Sequence, residues 1–317
     1  MKKLCLCLLL CLLVVSAQAD EIFGGAFPSE AGYMADDGTQ IYHDRKTNTL
    51  SVISAESEYS IVLPQECKEI WQMDYTDPET FIIICRVDAG YAVLPIQDGA
   101  MQPAVTLPEN AAIIHRPLGE HVYYHTKEGH RLCRFNWKTG EETELLTGTG
   151  GLYHADRWRG VDYLVFTLPD EVGEYKGCYH LMTVDADGNC SEPLPLPFGG
   201  LSYIYSSLCV GPDGNVLIAA SDAENTGTLY SYTASGKLMW QADAACRVSR
   251  LIPTREGYTV IGHRNGLVTQ REIDLSGRLL NERVYKAFAP TNQFPVVNGE
   301  VYYFSAAEEH PFFWPLE

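Results

Sequence analysis

Gly257-Tyr258-Thr259-Val260-Ile261 sets a glycine directly before a run of aromatic and β-branched residues, the side chains that suit a pleated, half-buried strand. The same grammar recurs on both sides of it. Working outward, the marker residues are Gly38, Pro78, Gly119, Gly160, Gly214, Gly257 and Gly299, separated by 40, 41, 41, 54, 43 and 42 residues. The runs that follow them include Thr39-Gln40-Ile41-Tyr42, Phe81-Ile82-Ile83-Ile84, Val122-Tyr123-Tyr124, Tyr163-Leu164-Val165-Phe166, Val216-Leu217-Ile218 and Val301-Tyr302-Tyr303-Phe304. A period near 40 made only of short strands predicts the blades of an all-β propeller, whereas helical repeats would show apolar residues at spacings of three and four.

A second glycine series shares the period. Asp98-Gly99, Thr139-Gly140, Asp187-Gly188, Ser235-Gly236 and Ser276-Gly277 lie 41, 48, 48 and 41 residues apart, where a tight hairpin turn needs positive φ. Each unit therefore reads as four antiparallel strands. The fourth strand ends in Leu-Pro at Leu63-Pro64, Leu107-Pro108 and Leu196-Pro197, a place where proline is tolerated. Seven units follow, over 30–64, 66–108, 110–147, 150–197, 200–243, 246–285 and 290–317. The last has no residues left for a fourth strand, because Phe312-Phe313-Trp314-Pro315-Leu316 runs into the C-terminus. The apolar segment Glu21-Ile22-Phe23-Gly24-Gly25-Ala26-Phe27 is expected to supply it and so close a seven-bladed ring with no long unpaired edge.

Ser231-Tyr232-Thr233-Ala234-Ser235-Gly236-Lys237-Leu238-Met239-Trp240 resembles the third-strand, turn, fourth-strand segment of PQQ-like and WD40-like propeller repeats, in which a Thr/Ser-Gly-Lys turn precedes a tryptophan. Phe135-Asn136-Trp137-Lys138-Thr139-Gly140-Glu141 and Glu272-Ile273-Asp274-Leu275-Ser276-Gly277-Arg278-Leu279 are fainter copies. Only Trp240 matches the docking tryptophan. The resemblance implies the fold and does not imply a bound quinone.

Residues 1–19 read as a leader: Lys2 and Lys3, an apolar stretch from Leu4 to Val15, then Ser16-Ala17-Gln18-Ala19 with small residues where a signal peptidase reads. The apolar stretch is short for a membrane span, and Cys5, Cys7 and Cys11 lie too early in it for a lipoprotein site. Cleavage after Ala19 is expected to release residues 20–317 as one propeller domain, secreted to the extracellular space or the periplasm, with no membrane insertion and as a monomer. Without Lys2 and Lys3, 21 basic residues face 41 acidic ones, a formal charge of −20. Such a surface disfavours nucleic acid, whose phosphates need clustered Lys and Arg. Seven cysteines remain, Cys67, Cys85, Cys133, Cys178, Cys190, Cys209 and Cys246. Most sit in apolar runs as small buried hydrophobes, so no disulfide framework is expected.

Linear catalytic signatures are missing: no Gly-x-Ser-x-Gly elbow, His-Glu-x-x-His pair, Walker loop, dinucleotide fingerprint or Ser-x-Asp-x-Gly-x-x-Trp box occurs. No C-x-x-C or His/Cys cluster has metal-ligand spacing, and neither a metal nor a cofactor is expected. Asp185-Ala186-Asp187-Gly188-Asn189 has the start of a calcium loop but also the hairpin glycine of the repeat. His121 and His125 fall on one strand face, open to metal binding or to ordinary packing. Trp71, Trp158, Tyr203 and Tyr205 lie near first strands, where they line an axial funnel or pack between blades.

The 54-residue interval carries extra sequence at 169–177 and 197–203, and a further long connection spans 221–227. In a four-stranded blade the link between blades and the loop between strands two and three emerge on one face. Extensions gathered there mark a binding surface. The candidate ligand-binding residues are His154, Glu171, Glu174, Tyr175, Tyr203, Tyr205, Asp222 and Asn225. The sequence thus predicts a non-catalytic propeller that binds a protein, peptide or glycan on this face. The alternative is a polysaccharide-active hydrolase or lyase whose acid and base come from Glu171, Glu174, Asp222 and His154. A quinone-dependent dehydrogenase is a third class.

Overall fold

The computed structural model describes residues 32–128, 130–170, 173, 178–196, 208–221, 227–286, 294–298, 300–305 and 312–316. Every regular element among them is a strand, and no helix there is long and apolar enough to cross a membrane. All pairings are antiparallel and, apart from one added strand in sheet 2, follow chain order.

Sheet 1 contains Gly32–Met34, Gln40–Asp44, Thr49–Ile53 and Glu58–Val62. Sheet 2 contains Glu69–Asp77, Thr80–Val87, Gly90–Gln97 and Ala100–Met101, with Val105–Thr106 also paired to its third strand. Sheet 3 is built from Ala111–Ile114, His121–Thr126, Arg131–Asn136 and Glu141–Thr147, and sheet 4 from Gly151–Trp158, Val161–Thr167, Tyr179–Val184 and Leu194–Pro195. Leu208–Val210, Val216–Ser221, Gly227–Tyr232 and Leu238–Asp243 make sheet 5. Sheet 6 comprises Arg247–Pro253, Gly257–Arg264, Leu267–Asp274 and Leu279–Val284. Sheet 7 has three described strands, Val296–Val297, Glu300–Ser305 and Phe312–Pro315. Each expected unit holds one sheet. The strand expected from residues 21–27 lies outside the described residues.

The turn glycines explain the repeat. Gly99, Gly140, Gly188, Gly236 and Gly277, between third and fourth strands, all have φ between 69° and 88°, a region that a Cβ disfavours. Gly257 differs from Gly38, Gly119, Gly160 and Gly214, which have positive φ. It lies inside a strand opposite Asp274, and a Cβ on it would stand 2.0 Å from the carbonyl oxygen of Ile273. Close approach, not turn geometry, requires glycine there.

Burial falls from the inner to the outer strands. Second strands of sheets 2 to 6 are largely buried on both faces because a neighbouring sheet covers each, whereas Gln40–Asp44 of sheet 1 buries only Ile41; Val161–Thr167 is buried from Asp162 to Thr167, each large apolar side chain contributing roughly 1.5–3 kcal/mol. The fourth strand Leu279–Val284 is exposed throughout. Hydrophobic cores fill the joints between sheets. Sheets 2 and 3 share Ile84, Val93, Val122 and Tyr124, sheets 3 and 4 share Tyr123, Leu132, Leu164 and Phe166, and sheets 4 and 5 share Val165, Leu181, Val216 and Ile218. Leu217, Leu229, Val260 and Ile273 join sheets 5 and 6, and Ile261, Val268, Val301 and Leu316 join sheets 6 and 7. Met34, Ile41, Leu50, Ile70 and Ile83 fill the joint of sheets 1 and 2, and Val297 of sheet 7 belongs to the same cluster.

Candidate functional site

First strands carry charge at a recurrent place. Asp74 stands four residues before Pro78, Arg116 three before Gly119 and Asp156 four before Gly160. Each side chain therefore emerges where its first strand approaches the turn into the second. The strands converge, so that these groups meet. Arg116 Nη2 lies 2.6 Å from Asp156 Oδ1, and Asp156 also accepts from the backbone N–H of Arg157 at 2.9 Å and of Val210 at 3.2 Å. One carboxylate thus ties sheets 3, 4 and 5. Asp74 Oδ2 accepts the Gly119 N–H at 3.3 Å, which ties sheet 2 to sheet 3.

Tyr33 and Arg250 extend the cluster to sheets 1 and 6. Arg250 donates to the Phe294 carbonyl at 2.9 Å and faces Asp36 at 3.5 Å. Burial pushes the Tyr33 phenol up to about 12 against the nearby Arg250 and Arg116, with Asp36 and Asp74 adding to the rise. One hydroxyl thus senses charges from sheets 1, 2, 3 and 6. Burial also raises the Asp74 carboxyl, although Arg116 and the Gly119 N–H oppose it. Tyr33, Asp74 and Asp156 nevertheless keep part of their surface in water, and the Arg116 side chain is 41% exposed. These groups are thus enclosed in depth and still open to solvent at one edge. Tyr75 adds an aromatic wall, with its ring 5.9 Å from that of Tyr33 and its hydroxyl donating to Asp37 at 2.6 Å.

Beneath the charges sit two histidines. The rings of His115 and His154 are 5.2 Å apart, edge to face. Neither ring nitrogen of His115, nor Nδ1 of His154, has a hydrogen-bond partner; the carbonyls of Tyr153 and Leu208 lie close enough to favour protonation of His115 and His154 respectively. Burial dominates. It holds His115 well below the usual range, helped by His154 and Arg116, and draws His154 down to about 4 against the opposing pull of Asp156. Both imidazoles are therefore neutral at pH 7.

Of the eight candidate residues read from sequence, only His154 is among the described residues, and it stands in this cluster. Glu171, Glu174, Tyr175, Tyr203, Tyr205, Asp222 and Asn225 lie outside them. The chemistry assembled by the described residues lies toward the opposite end of the sheets, where first strands turn into second ones. Tyr33, Asp36, Asp74, Arg116 and Arg250 were not singled out by sequence. For Asp74 and Arg116, as for Asp156, the signal was a charged residue in or just after an apolar first strand, three or four residues before the marker in three consecutive repeats.

Other sequence candidates resolve into packing. Asp185 accepts the Asn189 backbone N–H at 2.8 Å and its side-chain amide at 2.9 Å, while Gly188 has φ 88°, so the acidic loop is a turn closed on itself. His125 contacts the Thr149 carbonyl oxygen at 2.7 Å, and His121 faces Arg157 at 3.3 Å. Trp71 donates to the Ile114 carbonyl at 3.3 Å and Trp158 packs against the core of sheets 4 and 5. Among the described residues no three His, Cys, Asp or Glu side chains are grouped to hold a metal.

No family model and no curated protein sequence matches the chain. Solved structures match its fold. Virginiamycin B lyase from Staphylococcus aureus aligns with a TM-score of 0.56 at 12% identity, over 86% of this chain and 89% of that one. A streptogramin B lyase aligns at 0.54 with 14% identity, covering 89% and 92%. The Cps50 (Swd1) β-propeller domain of Myceliophteria thermophila aligns at 0.56 with 12% identity, covering 93% and 99%. The fold is a β-propeller, as the repeat grammar implied.

Proposed function

We propose that this chain is an exported, non-catalytic β-propeller that binds a protein, peptide or glycan at the axial cluster of Tyr33, Asp36, Asp74, Arg116, Asp156 and Arg250. The observation that carries this reading is the convergence of acids, arginines and a phenol from sheets 1, 2, 3, 4 and 6 on one partly wetted place. Arginine forks and carboxylates of both signs, beside the Tyr33 and Tyr75 rings, suit a ligand rich in hydroxyls or amides. We further infer seven blades in a closed ring, its last blade completed by residues 21–27. The presence of Val297 in the core of sheets 1 and 2 supports closure. N-terminal sequencing of the exported protein that begins at Asp20 would support the leader.

Screening glycan and peptide arrays, then measuring affinity for each hit, tests the site. Arg116→Ala and Tyr33→Phe should each weaken binding at least tenfold, while Tyr175→Ala and Tyr203→Ala leave it unchanged. The reverse pattern moves the site to the loop-extended face and overturns the axial assignment.

A lyase or hydrolase reading draws support from one feature: Asp74 has a raised carboxyl beside the Arg116–Asp156 pair and the neutral His154, an arrangement in which neighbouring groups hold different protonation states. Mass-spectrometric detection of oligosaccharide cleavage by the wild type, abolished in Asp74→Asn, would favour the enzyme over the binding module.

A further inference from the structure

Cys67 and Cys85 come together in the core between sheets 1 and 2. Cys67 lies in the turn that leads from sheet 1 into sheet 2, where its N–H donates to the Pro64 carbonyl at 2.9 Å. Cys85 lies on the second strand of sheet 2 and pairs with Ile70. The Lys68 N–H donates to the Arg86 carbonyl at 2.9 Å, which brings the chain around Cys67 alongside that strand. Both side chains are almost fully buried, at 3% and 1% exposure, in one cluster with Met34, Leu50 and Ile70.

The two thiols are within reach of a weak S–H hydrogen bond, which raises Cys67 and lowers Cys85. Cys133, the other cysteine on a neighbouring unit, faces a different core, shared with Ile84 and Val93. Cys209 and Cys246 share the joint of sheets 5 and 6, but their thiols respond to different charged neighbours, Asp156 for the first and Arg271 for the second. Among the described cysteines, all of them reduced here, Cys67 and Cys85 are the pair whose thiols act on each other.

We propose that Cys67 and Cys85 form a disulfide by exchange with a glutathione-type or protein disulfide, clamping the link between the first two sheets onto the second strand of sheet 2. The Cys85 thiolate, the form its Cys67 neighbour favours, attacks one sulfur of oxidised glutathione and expels one glutathione thiolate. The Cys67 thiolate then attacks the Cys85 sulfur of the mixed disulfide and expels the second. One S–S bond breaks and one forms, two electrons pass to glutathione, and the two cysteine protons end on the released thiols or in solvent. Because Cys67 sits in a turn, closing the bond adjusts a connection and leaves the strand ladder in place. Disulfide-forming compartments are those to which the proposed leader would send the chain, but the pairing itself is tested in a tube.

The folded, reduced full chain is incubated with oxidised glutathione, acid-quenched, alkylated under denaturing conditions and mapped by mass spectrometry. The expected result is two fewer alkylatable thiols and a cross-linked peptide pair holding Cys67 and Cys85. The Cys67→Ala variant should instead stop at a glutathione adduct on Cys85. Recovery of both thiols from the wild type at large oxidant excess, or a first bond joining any other pair, would overturn the proposal.

Discussion

Arg157 and Trp158 end the same first strand, and alternation sends them to opposite neighbours. Arg157 reaches back to sheet 3, where a Cβ on the turn glycine Gly119 would stand 2.5 Å from its Nη1. Trp158 reaches forward to sheet 5, where a Cβ on Gly214 would stand 2.7 Å from its ring. Both turn glycines have positive φ. The two joints of sheet 4 thus share a plan, a long side chain laid over a neighbour's bare turn, and differ in chemistry. At the first joint Asp162, 2% exposed, accepts from Arg157 Nη2 at 2.8 Å and from the Tyr123 hydroxyl at 2.5 Å. At the second, Val216 and Ile218 meet Tyr163 and Val165 in an apolar cluster. Blade-to-blade geometry is therefore met equally by a desolvated charge network or by an indole, and the two should fail differently when cut.

Asp162→Ala should give the largest effect. It strands the Arg157 guanidinium and the Tyr123 hydroxyl at a site from which water is largely excluded, and breaking a buried pair in this way costs about 3–5 kcal/mol. Urea denaturation measures it. A loss below about 1 kcal/mol would mean that Leu132, Leu164 and Phe166 hold the joint and that the network is incidental. Trp158→Ala should cost less, about 2–3 kcal/mol, because the indole is only partly buried and its removal leaves a gap open to solvent. If Trp158→Ala proves worse than Asp162→Ala, the ranking of charged over apolar closure is reversed.

The contrast between these joints also shows what sequence could reveal. Gly119, Gly160 and Gly214 were legible as punctuation because turns with positive φ restrict residue choice one position at a time. The apolar runs between them were legible because both faces of a second strand are covered. The cluster of Tyr33, Asp74, Arg116 and Arg250 was not, since its members are far apart in sequence: Arg250 and Asp36 are separated by 214 residues, a distance over which local patterning carries no signal. Asp162 was hidden for a related reason. Val216, two residues after its own marker, is buried and apolar, so the repeat gives no warning that the equivalent place in sheet 4 holds a carboxylate.

Between the two joints, on the axial side, His115 and His154 should make stability depend on pH. Their folded values lie below that of an unfolded histidine, near 6.5. The unfolded chain therefore binds protons that the folded one refuses as pH falls through about 6.5 toward 4, and stability is lost over that window. Discounted for the part of His154 that touches water, the loss attributable to His154 is about 2 kcal/mol. Arg116 adds to the effect, Asp156 opposes it, and the raised carboxyl of Asp74 works in the other direction. Denaturation of the wild type and His154→Phe at pH 7 and pH 4.5 separates this contribution from other carboxylates. The variant should lose less on acidification, and an identical loss would show that the histidine remains free to protonate in place.

Glu120 and Lys138 provide the smallest expected effect and the sharpest contrast within one joint. Like Asp162 with Arg157, they form an ion pair beside the Gly119 turn, and Lys138 lowers the Glu120 carboxyl. Their side chains, however, are 49% and 47% exposed, so water already solvates both charges and the pair gains little beyond what each had alone. Glu120→Gln should change stability by less than about 0.5 kcal/mol, and added salt should erase even that. A loss comparable to that of Asp162→Ala, insensitive to salt, would mean that the rim of this joint is as dry as its centre, and that burial of the carboxylate is not what distinguishes the two pairs.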